Sequence, residues 1–119
     1  MTSRSRGFDV ESEACRLLCA KGIKLIERNF TCRLGEIDLV MLNANCLIFV
    51  EVRYRAYDRF GGGRGSVTPQ KQRRLIRSAG IFLSRNPRYA DLPCRFDVVS
   101  ATKKHNGIHY EWIKDAFQL

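Results

Sequence analysis

The fold of this chain is decided by two stretches, Gly35-Glu36-Ile37-Asp38-Leu39-Val40 and Ile48-Phe49-Val50-Glu51-Val52-Arg53. Both are rich in β-branched and large apolar residues, and the turn-like segment Asn43-Ala44-Asn45 lies between them. This pattern predicts two strands of an antiparallel hairpin. Acidic residues stand within both strands, and they are the first candidates for a functional site.

The register of the hairpin follows from the position of its turn. Centring the turn on Ala44-Asn45 places Asp38 opposite Glu51 and Glu36 opposite Arg53. Side chains alternate between the two faces of a strand, so all four should project from one face. Two facing carboxylates repel each other by up to about 1 kcal/mol in a plain sheet. A divalent cation such as Mg²⁺ would turn this repulsion into a binding site, because it prefers carboxylate oxygens.

A plainer interpretation is that the acids lie on a solvated face, with Glu36 and Arg53 forming a weak cross-strand ion pair. The apolar residues around them argue against it. One face of the hairpin is predicted to consist of Ile37, Leu39, Ile48, Val50 and Val52, and Val40 and Phe49 make the acidic face apolar as well. A strand that is apolar on both faces is expected to be central and covered, and carboxylates there need partners.

Composition sets the class of protein. The 119 residues suit one domain, and the net charge of +9, with a pI near 9.8, favours a polyanion, in the first place nucleic acid, as the partner. No segment is long and apolar enough to span a bilayer, and the polar N-terminus shows no secretory signal. Five cysteines lack a paired spacing. We therefore expect a cytoplasmic protein that does not bind membranes.

A first helix is predicted from Phe8 to Lys21, with Gly22 as the residue that ends it. Glu11 shares the apolar stripe of Ala14 and Leu18 and should face the sheet. The alternative is that Glu11 is an acid favoured by the dipole near the helix N-terminus. Both interpretations stay open at this point.

The remaining elements complete an α/β arrangement. Ile23–Phe30 is a predicted first strand, and a second helix should begin after the N-cap Thr68, with Pro69 at N1, and run to Arg85. Cys94–Ala101 and His109–Ile113 are predicted to pair as a second hairpin across Asn106-Gly107. The order of a helix, three strands, a helix and two strands indicates a layered α/β or α+β fold with a mixed sheet.

Cationic residues gather after the acidic hairpin and on the second helix. They are Arg53, Arg55, Arg59 and Arg64 in and before a glycine-rich segment, and Lys71, Arg73, Arg74 and Arg77 on the helix. A basic face of this kind is typical of phosphate-backbone binding. The alternative is a solvated basic helix face kept for solubility.

The order and spacing of these elements resemble the PD-(D/E)xK nuclease superfamily, and more closely the YraN-like family of bacterial proteins. The segments that carry the resemblance are Glu11-Ser12-Glu13-Ala14, Arg28-Asn29, residues 35–39, residues 49–53, Ser66-Val67-Thr68 with Lys71, and residues 95–99. It implies a restriction-endonuclease-like sandwich, in which helices flank a central mixed five-stranded sheet, as one domain over residues 1–119. It also implies similarity to archaeal Holliday junction resolvases.

The same resemblance implies a site. Asp38 and Glu51 would be metal ligands, joined by the Val52 backbone carbonyl and by Glu11, with Mg²⁺ or Mn²⁺ as the ion. Arg53 stands where active relatives carry a lysine. Arginine keeps the positive charge but cannot act as a general base. Lys71 is a candidate for a displaced lysine because it lies near the start of the second helix.

Three functions follow as expectations. The first is a metal-dependent endonuclease that hydrolyses phosphodiester bonds in DNA, with branched or junction DNA implied by the resemblance alone. The second is a nucleic-acid-binding module with the same fold and weak or no catalysis. The third is a dimeric protein-interaction subunit. Apolar residues near Tyr57, Phe60 or Trp112-Ile113-Phe117 would then supply a homodimer interface.

Overall fold

The computed structural model describes residues 3–55 and 67–118, and describes side chains from residue 10 onward. Its elements are α1 (Ser3–Ala20), β1 (Lys24–Cys32), β2 (Gly35–Asn43), β3 (Cys46–Arg55), α2 (Pro69–Arg85), a short 3₁₀ turn (Pro87–Tyr89), β4 (Cys94–Lys104) and β5 (Gly107–Phe117). The strands form one sheet in chain order, in which β3 and β4 are parallel and the other neighbours are antiparallel. The predicted mixed five-stranded α/β sheet is confirmed.

The two helices cover opposite faces of this sheet. Leu75, Ala79 and Phe82 of α2 belong to one buried cluster, whereas Ala14 and Leu18 of α1 belong to the other. The fold is therefore an α/β sandwich consistent with the restriction-endonuclease-like architecture. None of the described helices is both long and apolar enough to cross a membrane.

The predicted helix ends are accurate where capping chemistry defines them. Gly22 adopts a left-handed backbone with φ 88°, and its N–H donates to the Cys19 carbonyl after the end of α1. The Thr68 hydroxyl accepts from the Lys71 N–H at 3.1 Å, as an N-cap should. The predicted start at Phe8 is wrong, because α1 begins at Ser3. Glu11 therefore lies about two turns into the helix, beyond the reach of the N-terminal dipole.

The hairpin register is confirmed, and the pairing then stops. Leu39 faces Val50 and Asn43 faces Cys46, on either side of a turn at Ala44-Asn45. Within the described residues the β2–β3 ladder ends at the pair of Leu39 and Val50. Beyond it β2 remains paired with β1 as far as Gly35, and β3 remains paired with β4 as far as Arg55. The sheet consequently forks where the acidic residues begin.

Side-chain alternation breaks at the same level. Arg28 contacts Glu11 of α1, but Phe30 packs edge-on against Phe82 of α2. Strict alternation would put residues 28 and 30 on one face. Asn29 between them has φ 55°, a left-handed backbone that asparagine tolerates and that redirects the strand.

The neighbouring strand changes face in the same way. Ile37 packs in the α2-side cluster, whereas Leu39 packs in the α1-side cluster. The expectation that both residues share one face is therefore wrong. Asp38 lies at this change of face, opposite the left-handed Asn29. Side chains of β2 change face here because the alternation of its partner β1 is interrupted at Asn29.

Asp97 holds the far side of the sheet together. Its fully buried carboxylate accepts hydrogen bonds from the Arg95 guanidinium, from Trp112 Nε1 at 2.8 Å and from the Asp115 backbone N–H at 2.9 Å. The last contact organises a bulge in β5, where Asp115 has φ 50° and the register with β4 shifts. A buried carboxylate with this many donors stabilises one strand pairing.

The position of β5 shows that its apolar residues do not form the predicted dimer interface. Ile113 and Phe117 are buried in the α2-side cluster, and Trp112 packs against the α1-side cluster. They are core residues rather than an exposed apolar patch. Tyr57 and Phe60, the other candidates, lie outside the described residues.

Replacing the Asp97 carboxylate by an amide tests this role. Asp97→Asn should lower the free energy of unfolding by about 2–4 kcal/mol, because Arg95 loses its anion inside the fold. Urea denaturation followed by Trp112 fluorescence measures the loss. Asp91→Asn changes an exposed acid and is the matched control. Equal stabilities of the two variants would contradict the role of Asp97.

Candidate active site

The fork between β2 and β3 places two carboxylates side by side. The Val52 backbone N–H lies beyond the last β2–β3 ladder pair, and it donates to the side chain of Asp38, at Oδ2, over 2.8 Å. This contact holds the Asp38 carboxylate between the strands, in a cleft that Glu51 also lines, and near enough to Glu51 for the Glu51 charge to raise the pKa of Asp38. Asp38 and Glu51 are therefore close together, as predicted. They approach each other where β2 and β3 separate, and not as a pair within the β2–β3 ladder.

A second group of acids surrounds Asp38. Carboxylate oxygens of Glu11, Glu36 and Asp38 all lie within 4.8 Å of one another. Glu11 reaches this position from α1, where its side chain is 14% exposed and its Oε1 accepts from Arg28 Nη2 at 3.1 Å. The helix thus supplies an acid to the sheet, as expected, and β1 supplies a cation that compensates it.

Glu51 is compensated from the opposite side. Its Oε2 is 2.5 Å from Lys71 Nζ on α2 and 3.5 Å from Arg53 Nη1 on β3. The Glu51 side chain is only 6% exposed, so removal from water would disfavour its charge without these cations. The expected cross-strand pair of Glu36 and Arg53 is not formed, because the described β2–β3 ladder ends at Leu39 and Val50. Arg53 contacts Glu51.

The proton affinity of Asp38 is strongly altered. Burial raises the pKa of its carboxyl group from the ordinary 3.8 to about 8, with the Glu51 carboxylate as the next cause and Glu11 as a smaller one. The N–H of Val52 opposes this shift. Asp38 consequently retains a proton near neutral pH. Perturbed carboxyl groups of this kind in a cleft are candidates for function.

These groups line an open cleft of about 380 Å³. One stripe of α2 forms one wall, with Lys71, Arg74, Leu75 and Ser78 at helical spacing, and the other wall is formed by Gly35, Glu36, Asp38, Glu51, Val52 and Arg53. The carboxylates and Arg53 thus line the strand wall, and Lys71 and Arg74 line the helical wall. Such a cleft suits an anionic ligand that binds together with a cation.

The predicted nucleic-acid-binding residues divide into three groups. Arg53, Lys71 and Arg74 line the cleft. Arg73 and Arg77 are exposed on α2, and the partly buried Arg55 ends β3, but none of these three lines the cleft. Arg59 and Arg64 lie outside the described residues, so their role stays a prediction.

Sequence reasoning missed two members of this site. Arg28 was part of the family pattern without a role, and it forms an ion pair with Glu11 across the α1–β1 contact. Glu36 was predicted to face Arg53, and it joins Glu11 and Asp38 instead. The asparagine at position 29 was the available signal, because asparagine within a strand favours a left-handed backbone.

The donor set fits a hard divalent cation. Every side-chain ligand offered by Glu11, Glu36, Asp38 and Glu51 is a carboxylate oxygen, the donor that Mg²⁺ and Mn²⁺ prefer. Among the described residues that line the cleft, none offers a soft ligand. Mutual repulsion within the group would be relieved by such an ion. The residues present therefore fit the cation that the family resemblance implies.

Comparison with known proteins agrees with the predicted family. The model of the uncharacterised protein family UPF0102 matches residues 10–101. A UPF0102 protein of Nitrosococcus oceani is 46% identical over 118 residues, which cover 99% of this chain and 95% of the relative. UPF0102 proteins of Pseudomonas entomophila and Xanthomonas oryzae are 47% and 49% identical, over 94% and 97% of this chain and 92% and 93% of the relatives. These matches cover all the described site residues.

The raised pKa of Asp38 makes a prediction about stability. Folded Asp38 holds a proton that the unfolded chain releases, so its contribution is complete below about pH 4 and is lost as the pH rises toward 8. Asp38→Asn keeps a neutral acceptor for the Val52 N–H. Its stability relative to the wild type should therefore increase by at least about 1 kcal/mol between pH 5 and pH 8.

Urea unfolding at the two pH values measures this change. Glu27→Gln, which alters an exposed acid on β1, should show no comparable increase. A stability difference between Asp38→Asn and wild type that is the same at pH 5 and pH 8 would rule out the raised pKa.

Proposed function

The chain belongs to the uncharacterised protein family UPF0102, and we propose that it is a metal-dependent endonuclease that hydrolyses phosphodiester bonds in DNA. The observation that carries the proposal is that the Asp38 and Glu51 carboxyl groups line one cleft, together with Lys71 and Arg74 on its helical wall. Neither a solvated hairpin face nor a purely structural ion pair requires this combination.

The carboxylates would hold one or two Mg²⁺ or Mn²⁺ ions. Asp38 and Glu51 are the proposed ligands, with the Val52 carbonyl and Glu11 as further ones, and Glu36 joins this set because of its position. When bound, such an ion supplies Lewis-acid polarisation of a phosphodiester. The protein supplies a rigid arrangement, because three of the acids sit on paired strands and Glu11 is fixed by Arg28.

Two cations of the cleft have proposed roles toward the phosphate. Arg53 can hold a phosphate group at two points and stabilise the charge that develops on it, but it stays protonated and cannot abstract a proton. Lys71 replaces the missing signature lysine, since its ammonium reaches Glu51 from α2 rather than from β3. This position of the Lys71 ammonium supports the proposed role of a displaced lysine.

The remaining cations would position DNA through its backbone. Arg74 extends the cleft along α2, and Arg73 and Arg77 continue the basic surface of that helix, with Arg55, Arg59 and Arg64 as further candidates. Contacts of this type give strong salt dependence and little sequence preference. A net charge of +9 supports association with a polyanion. Branched DNA remains the substrate shape suggested by resemblance.

A second candidate function is a binding module with little catalysis. The observation that favours it is Arg53 itself, whose guanidinium contacts the Glu51 carboxylate at the position of the expected lysine. In this case removal of an acid from the cleft would leave DNA affinity unchanged or increase it, because repulsion of phosphates falls.

Cleavage of labelled branched and linear DNA in Mg²⁺ and Mn²⁺ distinguishes the two. Glu51→Gln should lower the cleavage rate roughly 100-fold or more, because several kcal/mol of transition-state stabilisation is lost with the ligand. Binding, recorded in the same tubes, should stay within a few-fold of the wild type, since the cations of α2 are intact. Glu13→Gln on the exposed face of α1 is the matched control.

Each other outcome has a defined meaning. Binding without cleavage in wild type and variant would reject the nuclease and favour the module. Salt-insensitive self-association without DNA binding would reject both in favour of an interaction subunit. Cleavage that persists in Glu51→Gln would show that the activity arises elsewhere or from a contaminant.

A further inference from the structure

We propose that Lys71 is an internal counter-ion that makes the binding of the divalent cation and of the DNA phosphate depend on each other. The inference rests on the proposed function and assigns Lys71 a role that a simple catalytic lysine does not have. The Lys71 ammonium lies 2.5 Å from Glu51 Oε2, an atom that a metal ion would use. The lysine and the ion therefore compete for one carboxylate.

The geometry makes Lys71 the movable member of the site. Its side chain is 37% exposed and extends from α2 into the cleft, whereas that of Glu51 is 6% exposed and fixed on β3. Arg53, the second cation on the same oxygen, is farther away at 3.5 Å. A flexible four-carbon stem lets the ammonium leave Glu51 without a change in the fold.

Charge then dictates the coupling. A divalent ion on Glu51 repels the nearby ammonium, so metal binding without DNA must displace Lys71 into solvent. A phosphate in the cleft offers Lys71 a new anionic partner on the same wall as Arg74. Metal and DNA should consequently each raise the affinity for the other by the same factor, as linkage requires.

Protons compete with the metal for the same carboxylates. This competition does not reverse the expected effect of Lys71 on metal affinity. Loss of a fixed positive charge favours any cation, and a divalent ion gains about twice the energy that a proton gains. Removing the Lys71 charge should therefore increase net metal affinity at constant pH.

Mn²⁺ binding without DNA is the first test. Lys71→Met should bind Mn²⁺ roughly fivefold more tightly than the wild type, a factor that corresponds to about 1 kcal/mol. Lys71→Gln should behave alike while retaining a neutral donor for Glu51, and it replaces Lys71→Met if that variant fails to fold. Lys71→Arg keeps the charge and should resemble the wild type. Lys24→Met removes an equal charge from an exposed position at the start of β1 and is the matched control.

DNA affinity with and without Ca²⁺, which uses the same oxygen ligands, is the second test. Ca²⁺ should tighten wild-type binding of a linear duplex roughly fivefold, and this effect should fall below about twofold in Lys71→Met and Lys71→Gln. Mn²⁺ affinity that is unchanged or weaker in both neutral variants would overturn the counter-ion role.

The two proposals fail in distinguishable ways. Unchanged Mn²⁺ affinity in the neutral variants together with Glu51-dependent cleavage by the wild type overturns the counter-ion role and leaves the nuclease intact. Tighter Mn²⁺ binding in these variants with no cleavage by the wild type supports the counter-ion role and rejects the nuclease. Absence of Mn²⁺ binding in every variant overturns both.

Discussion

The hydrogen bond from the Val52 N–H to the Asp38 carboxylate marks the constraint on which this site depends. A backbone N–H in the middle of a sheet needs an acceptor, and β2 no longer offers one beyond the pair of Leu39 and Val50. The side chain of Asp38 takes the place of the missing strand carbonyl. The sheet can therefore open at this point without an unsatisfied donor, and the opening is the cleft.

Burial of several acids in that opening then requires compensation. Arg28 meets Glu11 from β1, and Lys71 and Arg53 meet Glu51 from α2 and β3, while Asp38 has a backbone donor and a raised pKa. Two helices on opposite faces of one sheet thus contribute charges to the same small region. The fold thus gathers several carboxylates in one cleft of a basic protein. This arrangement suits a cation that lies between the protein and a phosphate.

The parts of this arrangement that the sequence reveals are those set by local chemistry. Period-two apolar runs and the Ala44-Asn45 turn define the acidic hairpin and its register, and Thr68 and Gly22 define helix ends. The fork and the face change at Asn29 escape such reasoning, because they depend on which strand stops pairing with which. The partner of Glu11 escapes it for the same reason, since Arg28 meets it only after α1 packs on the sheet.

The role of Lys71 is revealed only in part by the sequence. Its place one turn into α2 suggested a displaced lysine, yet only the packing of α2 on the sheet brings its ammonium to Glu51. Anomalous diffraction from crystals soaked in MnCl₂ tests the account most directly. The account predicts an anomalous peak bound by the Asp38 and Glu51 carboxylates, with the Lys71 ammonium withdrawn from Glu51. A Mn²⁺ ion bound only elsewhere, or bound there with the lysine still on Glu51, would contradict it.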